Sequence, residues 1–468
     1  MRRRPGRAPL PPGFSTLWTT VAIDLVGFGI VLPVLPLYAR RFAATPLQST
    51  LLVAAFSAAS LVCSPLLGRL SDRVGRRPVL LVSLVGTAAG SLLTGLAGSF
   101  TLLVVGRLVD GASGASVSVA QAAAGDLAPP GQRARLFGLL GAAFGVGFVA
   151  GPAIGALAAL GGPRLPFVVA AVIAGANAVV ASRRLPETRP RTSRPADVDT
   201  TSIAAGAAEG GSTGVLRAPG VAALVAVGFC AVTAFSGFES TFALFGARHL
   251  GLGIGSSAAT FAVVGLVLVV VQGAAVHPVV GRFGELPTLA AGLAADAGGL
   301  LLLWRAGGWV LAAPALVALT VGQALVQTTM SSALVGAAGA DRRGQVLGVQ
   351  QAASGLGRVA GPAIGGALLG ATASGRPYLV GAGLAALALV ALGVGRRRGA
   401  GAAPGVPGSA DVPGSADVPG GQGGPGQGRT GAGAPAAPGA GAPGAGAPGA
   451  GAPGAAEVRP PPPDVTLR

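Results

Sequence analysis

Of the sixteen acidic residues in the chain, only Asp24, Asp110, Glu239 and Asp296 stand inside long apolar stretches. A charge in such surroundings is costly, so each is a candidate for facing a cavity and binding a proton or a cationic group there. Held away from bulk water, a carboxyl group can take up and release a proton, and Asp24 is the foremost candidate for that task. The alternative for Asp24 is a structural acid satisfied by a neighbouring helix. Arg107 precedes Asp110 by three residues, which puts both on one face of a helix. A guanidinium stays charged when buried, so Arg107 can stabilise a carboxylate or be released by it; Asp110 can equally be its structural partner. Glu239 and Asp296 are candidates for lining a substrate cavity, with Asp296 ranked lower because its helix can lie at the periphery. Arg358 also falls in an apolar stretch, and its role is not legible from the sequence.

Other chemistries find no support. His249 and His277 are too far apart to suggest a metal site, and no nucleophile–base–acid set is visible. There is no G-x-x-x-x-G-K-[ST] motif and no lysine to complete one, which excludes a pump driven by its own ATP hydrolysis. No enzyme activity, cofactor or metal is expected.

The elements that must position these groups are membrane spans. The chain has 468 residues, 51% hydrophobic and only 10% charged, where soluble proteins carry about a quarter. Apolar blocks of bilayer-spanning length lie near 16–38, 49–67, 79–96, 102–123, 136–159 and 167–181. A second set lies near 221–245, 258–276, 289–303, 310–331, 347–371 and 378–394. The expected fold is therefore an all-α polytopic membrane protein of twelve helices in two sets of six. The first apolar block is long, contains Asp24 and lacks a small-residue cleavage site, so it is expected to be retained as a span. Cys63 and Cys230 both lie in apolar blocks and read as small packing residues.

The formal net charge is +17, but the arginines are scattered between spans rather than gathered on one soluble face, so nucleic acid is not an expected partner. One side receives 2–4, 69–77, Arg133, Arg135, 183–194, Arg282, Arg342, Arg343 and 396–398. The other receives Arg40, Arg41, Arg164, Arg248, Arg305 and Arg376. The positive-inside rule places the richer side, and both termini, in the cytoplasm of a cell whose plasma membrane holds the protein. The organisation is then a basic N-terminus (1–15), a six-helix half (16–182), a polar linker (183–218), a second half (219–395) and a Gly/Pro/Ala-rich tail (396–468). Such a tail cannot bury a core and is expected to be disordered.

Three motifs carry further information. Between the second and third spans runs Gly68-Arg-Leu-Ser-Asp-Arg-Val-Gly-Arg-Arg-Pro78, in which Gly68 and Gly75 are expected to turn the chain and Asp72 to pair with arginines. The first span holds D-x-x-G-x-G-x-x-x-P-x-x-P from Asp24 to Pro36. In the fifth span, Gly141, Gly145, Gly151, Pro152 and Gly155 have spacings that suit close helix contact, with Pro152 as a pivot. Gly151-Pro-Ala-Ile-Gly155 recurs 210 residues later as Gly361-Pro-Ala-Ile-Gly365, so Gly361 and Pro362 repeat the element and the two halves are related.

The loop resembles that between spans two and three of the major facilitator superfamily of secondary transporters. The first-span and fifth-span patterns are similar to those of twelve-span drug:proton antiporters, including tetracycline exporters, and Arg107 to Gly114 resembles their fourth-span motif. The resemblance implies proton-coupled export of a small amphiphilic molecule, with Asp24, Arg107 and Asp110 in proton coupling. It also implies a gating loop of Gly68, Asp72, Arg73, Gly75, Arg76 and Arg77, with Asp72 near the N-terminus of the eleventh helix and one of Arg73, Arg76 or Arg77 reaching Asp126. These contacts would latch the cytoplasmic side. The partners implied are protons, a small-molecule substrate and the bilayer, with the protein acting as a monomer. Alternatives are a proton-coupled importer or facilitator on the same fold and, in another class, a non-transporting membrane receptor or scaffold.

Overall fold

The computed structural model describes residues 9–129, 132–188, 220–337, 343–372 and 375–401. Most of the expected linker and the tail from 402 onward lie outside the described residues. The first span is α1 (Phe14–Val31) and α2 (Leu35–Ala39), parted at 32–34, where Pro33 supplies no amide donor. Then come α3 (Pro46–Val74) and α4 (Arg76–Gly95), with α3 started by a capping box in which the Thr45 hydroxyl and the Gln48 side chain each accept the other residue's N–H. The fourth span is α5 (Phe100–Ala112) and α6 (Ser116–Leu127), and α7 (Arg133–Ala159) and α8 (Leu165–Arg184) complete the first half.

The second half opens with α9 (Val221–His249). Its next span joins α10 (Ile254–Val270), a π-helical turn (Val271–Ala275) and α11 (Val276–Phe283). It ends with α12 (Glu285–Arg305), α13 (Trp309–Ala337), α14 (Arg343–Thr372) and α15 (Arg376–Gly401).

Among the described residues, eleven of these spans are long and apolar enough to cross a membrane. The remaining one, α14, has the length at 30 residues but is diluted by Gln345, Gln350, Gln351, Ser354 and Arg358. It packs along α9 within its own half and along α3 of the other, so it is sheltered by protein on two sides. Large apolar side chains such as Val62, Val82, Leu157, Leu160, Val172 and Val310 are exposed, which in a polytopic protein is the lipid-facing surface.

Two expectations are corrected. Gly68 does not turn the chain: α3 continues through it to Val74, helped by the Ser71 hydroxyl donating to the Gly68 carbonyl, and Gly75 alone, at φ 111°, makes the turn. The fourth span is not one helix. It breaks at 113–115, where Ser113 bonds back to the Val109 carbonyl and Gly114 lies against Ser60 of α3.

Glycine sets the closest helix approaches, and it does so in the same way in each half. A methyl on Gly147 would lie 2.7 Å from Leu25 Cβ, and one on Gly151 would lie 2.6 Å from Gly29 Cα, so α1 and α7 touch backbone to backbone. In the second half Gly357, Gly361 and Gly365 of α14 seat on Phe229, Thr233, Gly237 and Thr241 of α9. The halves meet along two further seams. Gly355 and Gly366 of α14 abut Leu61 and Thr50 of α3; Gly145 of α7 meets Val269 of α10, and Gly265 of α10 meets the Phe148 carbonyl.

These contacts favour one end of the bundle. At the end remote from the 69–77 loop, Ile30, Val34, Leu35, Tyr38, Leu52 and Phe167 form a core that includes Ala258 of the second half. At the loop end, the cores around Leu80, Leu84 and Leu136 and around Leu224, Leu293 and Leu392 each belong to one half. There Gly68, Gly138, Gly141, Gly273 and Gly281 have open space where a side chain would be. Among the described residues, the halves are joined at one end and parted at the loop end.

Gly151→Leu should therefore force α1 and α7 apart and lower the thermal midpoint of the detergent-purified protein by several degrees or abolish folded yield, since overpacking against backbone costs about 1–3 kcal/mol or more. Gly141→Ala, in open space, should change stability by no more than about 0.5 kcal/mol. Thermal unfolding of the two variants side by side checks this.

Candidate functional site

The break in the fourth span is what assembles the first polar cluster. It makes Ser116 the first residue of α6, and its hydroxyl donates a 2.5 Å hydrogen bond to Asp24 Oδ2 on α1. The Asp24 carboxyl thus lies at the positive end of a short helix dipole. Its other oxygen, Oδ1, is buried with no hydrogen-bond partner in the protein. On α5, Arg107 Nη1 donates to Asp110 Oδ2 at 2.6 Å, the i,i+3 pair expected. Asp110 is also bonded by Thr87 of α4, and its backbone is pressed against Gly90. The Arg107 guanidinium stacks 4.6 Å above the centroid of Phe56 on α3, and Phe28 of α1 packs on the same ring at 5.3 Å.

Asp24, Arg107 and Asp110 are therefore one cluster, but not through direct contact of Asp24 with Arg107. Asp24 bonds Ser116 and lies near enough to Asp110 to feel its charge, while Arg107 bonds Asp110. Ser116 and Phe56 were not singled out from sequence. Ser116 is one of many serines in small-residue stretches, and nothing local marks it as the partner of a residue 92 positions away.

In the second half Glu239 is half-buried on α9, beside an aromatic group of Phe238, Phe242, Phe261 and Tyr378. Arg358 of α14 is near enough to act on it by charge, with no hydrogen bond or ion pair between them. Asp296 is brought to neither cluster: it is 4% exposed, set between α12 and α13 against Gly322, and its Oδ1 has no partner.

At the loop end, Arg76 is the arginine that reaches Asp126, with Nε 3.0 Å from Oδ2. It also holds Asp72 at 2.8 Å and donates to the Ser71 hydroxyl at 2.6 Å, and is itself only 4% exposed. Arg73 is exposed, while Arg77 donates to the Ser182 carbonyl at the end of α8. Glu187, just beyond α8, accepts the backbone N–H groups of Arg76 and Arg77 at 2.9 and 3.1 Å. The first turn of α4 is thereby capped by the chain that leaves α8, and the last turn of α8 by α4. A side chain on Gly75 would strike Glu187 at 2.6 Å, a second reason for glycine there. Glu187 was missed because its role depends on two helices 110 residues apart.

Of the motif glycines, Gly151, Gly155 and Gly361 are buried in helix seams and Gly145 lies half-buried in one, whereas Gly141 meets no neighbour. Pro152 and Pro362 lie inside α7 and α14, and Pro152 Cδ touches the space over Gly29.

Twelve spans in two related halves, meeting along the second, fifth, eighth and eleventh, agree with what comparison finds: residues 17–362 match the Major Facilitator Superfamily. The chain belongs to that superfamily. It is 33% identical over 391 residues to the class C tetracycline resistance protein of Escherichia coli, covering 81% of this chain and 95% of that protein. To the class E protein of the same organism it is 32% identical over 384 residues, covering 80% and 92%. The crystal structure of the human organic anion transporter MFSD10 (TETRAN) matches with a TM-score of 0.62 at 25% identity, covering 82% of this chain and all of that one. This superfamily member is a multi-pass membrane transporter of small molecules, not an enzyme.

Arg76→Ala should destabilise the transporter by about 1–3 kcal/mol, because it strands Asp72, Asp126 and Ser71 together. Arg69→Ala, at an exposed position, should shift stability by less than about 0.5 kcal/mol. Thermal midpoints of the purified variants check the contrast.

Proposed function

We propose that this transporter exports a small amphiphilic, drug-like molecule across the plasma membrane in exchange for protons, as a monomer, by alternating access of the halves 16–182 and 219–395. The observation that carries the proposal is the Asp24 carboxyl, buried at mid-bundle with one oxygen bonded to Ser116 and the other unpartnered. An acid so placed can bind a proton without distorting its surroundings, and the same cluster holds a permanent cation in Arg107. Its relatives named as tetracycline resistance proteins support the efflux direction.

With the arginine-rich loop end in the cytoplasm, as the positive-inside rule requires, the parted ends of the halves open inward. The ionic cluster of Arg76 with Asp72 and Asp126 keeps the loop on the first half in this state. Closing the cytoplasmic end would bring Asp72 toward the N-terminus of α14, where the helix dipole favours an anion. Glu239 faces the substrate from the second half.

Export of dyes or antibiotics from proteoliposomes containing the purified protein should stop when an ionophore collapses the proton gradient, with no nucleotide present at any stage. Uphill export that survives full collapse would sink the proposal. Asp24→Asn should abolish gradient-driven export while substrate binding persists, since the amide mimics the protonated acid. Proton release on substrate binding, compared between wild type and Asp24→Asn, is the direct measurement; undiminished release would move the proton site to Glu239 or Asp110.

A further inference from the structure

We infer that Glu239 and Arg358 are the two poles of a substrate subsite that takes a molecule carrying a positive and a negative charge together. The inference rests on the export reading and adds to it the class of substrate.

Three contacts fix the register of the helices that bear them. Gly357 lies between Phe229 and Thr233, Gly361 between Thr233 and Gly237, and Gly365 between Gly237 and Thr241, so Arg358 stands level with Val232. Glu239 is about seven residues further along α9, roughly 10 Å toward the joined end at the rise of an α-helix, a span that the long arginine side chain and a bound ligand can bridge. On α14, Gly357, Gly361 and Gly365 face α9, while Gly355 and Gly366 face α3 of the other half. At 100° per residue, Arg358 projects into the sector between those two directions, which α9 and α3 border. Its side chain is exposed there, and that of Glu239 is half-buried.

The two charges act on one another, yet no hydrogen bond or ion pair joins them. The contrast with Arg107 and Asp110, closed to 2.6 Å, is informative. An acid and an arginine that are deep in a membrane protein, accessible, and held apart are each left short of a partner. A ligand with an anionic and a cationic group would satisfy both, the anion on the planar guanidinium fork and the cation on the carboxylate. Phe235, one turn before Glu239 on the same face and half-buried, offers the ligand's apolar body a ring.

The test is equilibrium binding to the full chain in detergent, without any gradient, so its result stands apart from whether export is proton-driven. The probes are rhodamine B, zwitterionic at neutral pH, and its ethyl ester, which keeps the cation and lacks the carboxylate. Wild type should bind rhodamine B more tightly than the ester. Arg358→Gln should weaken rhodamine B about 10-fold or more and leave the ester unchanged, as expected for a lost bond to a charged group. Arg358→Lys should recover part of the preference, and Glu239→Gln should weaken both probes alike. The inference is overturned if wild type binds rhodamine B no better than the ester, or if Arg358→Gln keeps the preference. An equal loss of both probes in Arg358→Gln that lysine does not repair also overturns it.

Discussion

Hydrocarbon does not solvate charge, and the rest of this structure follows from how the chain lives with that. Backbone groups are satisfied within helices, so the described residues are helical through twelve spans. Each ionisable side chain in the interior must then find a partner, a cavity or a proton. Arg107 takes Asp110 and the face of Phe56, while Asp24 accepts from Ser116 and keeps its other oxygen unpartnered. The break in the fourth span serves the same end, because a continuous helix would not present Ser116 to Asp24.

Close helix approach is the second layer. Lipid gives helices no hydrophobic reason to associate, so contact area has to come from backbones that can touch. Gly147 and Gly151 do this between α1 and α7, and Gly357 and Gly361 do it between α9 and α14. The same two glycine-bearing helices also carry the contacts between halves, through Gly145 with α10 and through Gly355 with α3. One helix in each half thus faces its own bundle with one set of glycines and the partner bundle with another. Such thin seams bring the helices together through backbone and small residues rather than through interlocked large side chains.

The loop end is held differently. Arg76 is buried among Asp72, Asp126 and Ser71, and α4 and α8 cap each other through Glu187 and Arg77. The segment between the second and third spans is consequently fixed to the first half as part of a rigid body.

The sequence by itself determined the class of molecule, since span length, charge placement and the glycine–proline repeat are local or periodic properties. It also singled out Asp24, Arg107, Asp110, Glu239 and Asp296 as ionisable residues within the spans, because such a residue in an apolar run is conspicuous whatever it touches. What only the tertiary structure decided is who meets whom. Asp24 meets Ser116 and not Arg107; Arg76, and not Arg73 or Arg77, meets Asp126; and Glu187 caps α4. Each of these pairings joins residues tens to more than a hundred positions apart. Such a pairing depends on the angle and depth at which two helices cross, and glycines spread over several spans set that geometry together, so no short window of sequence contains it.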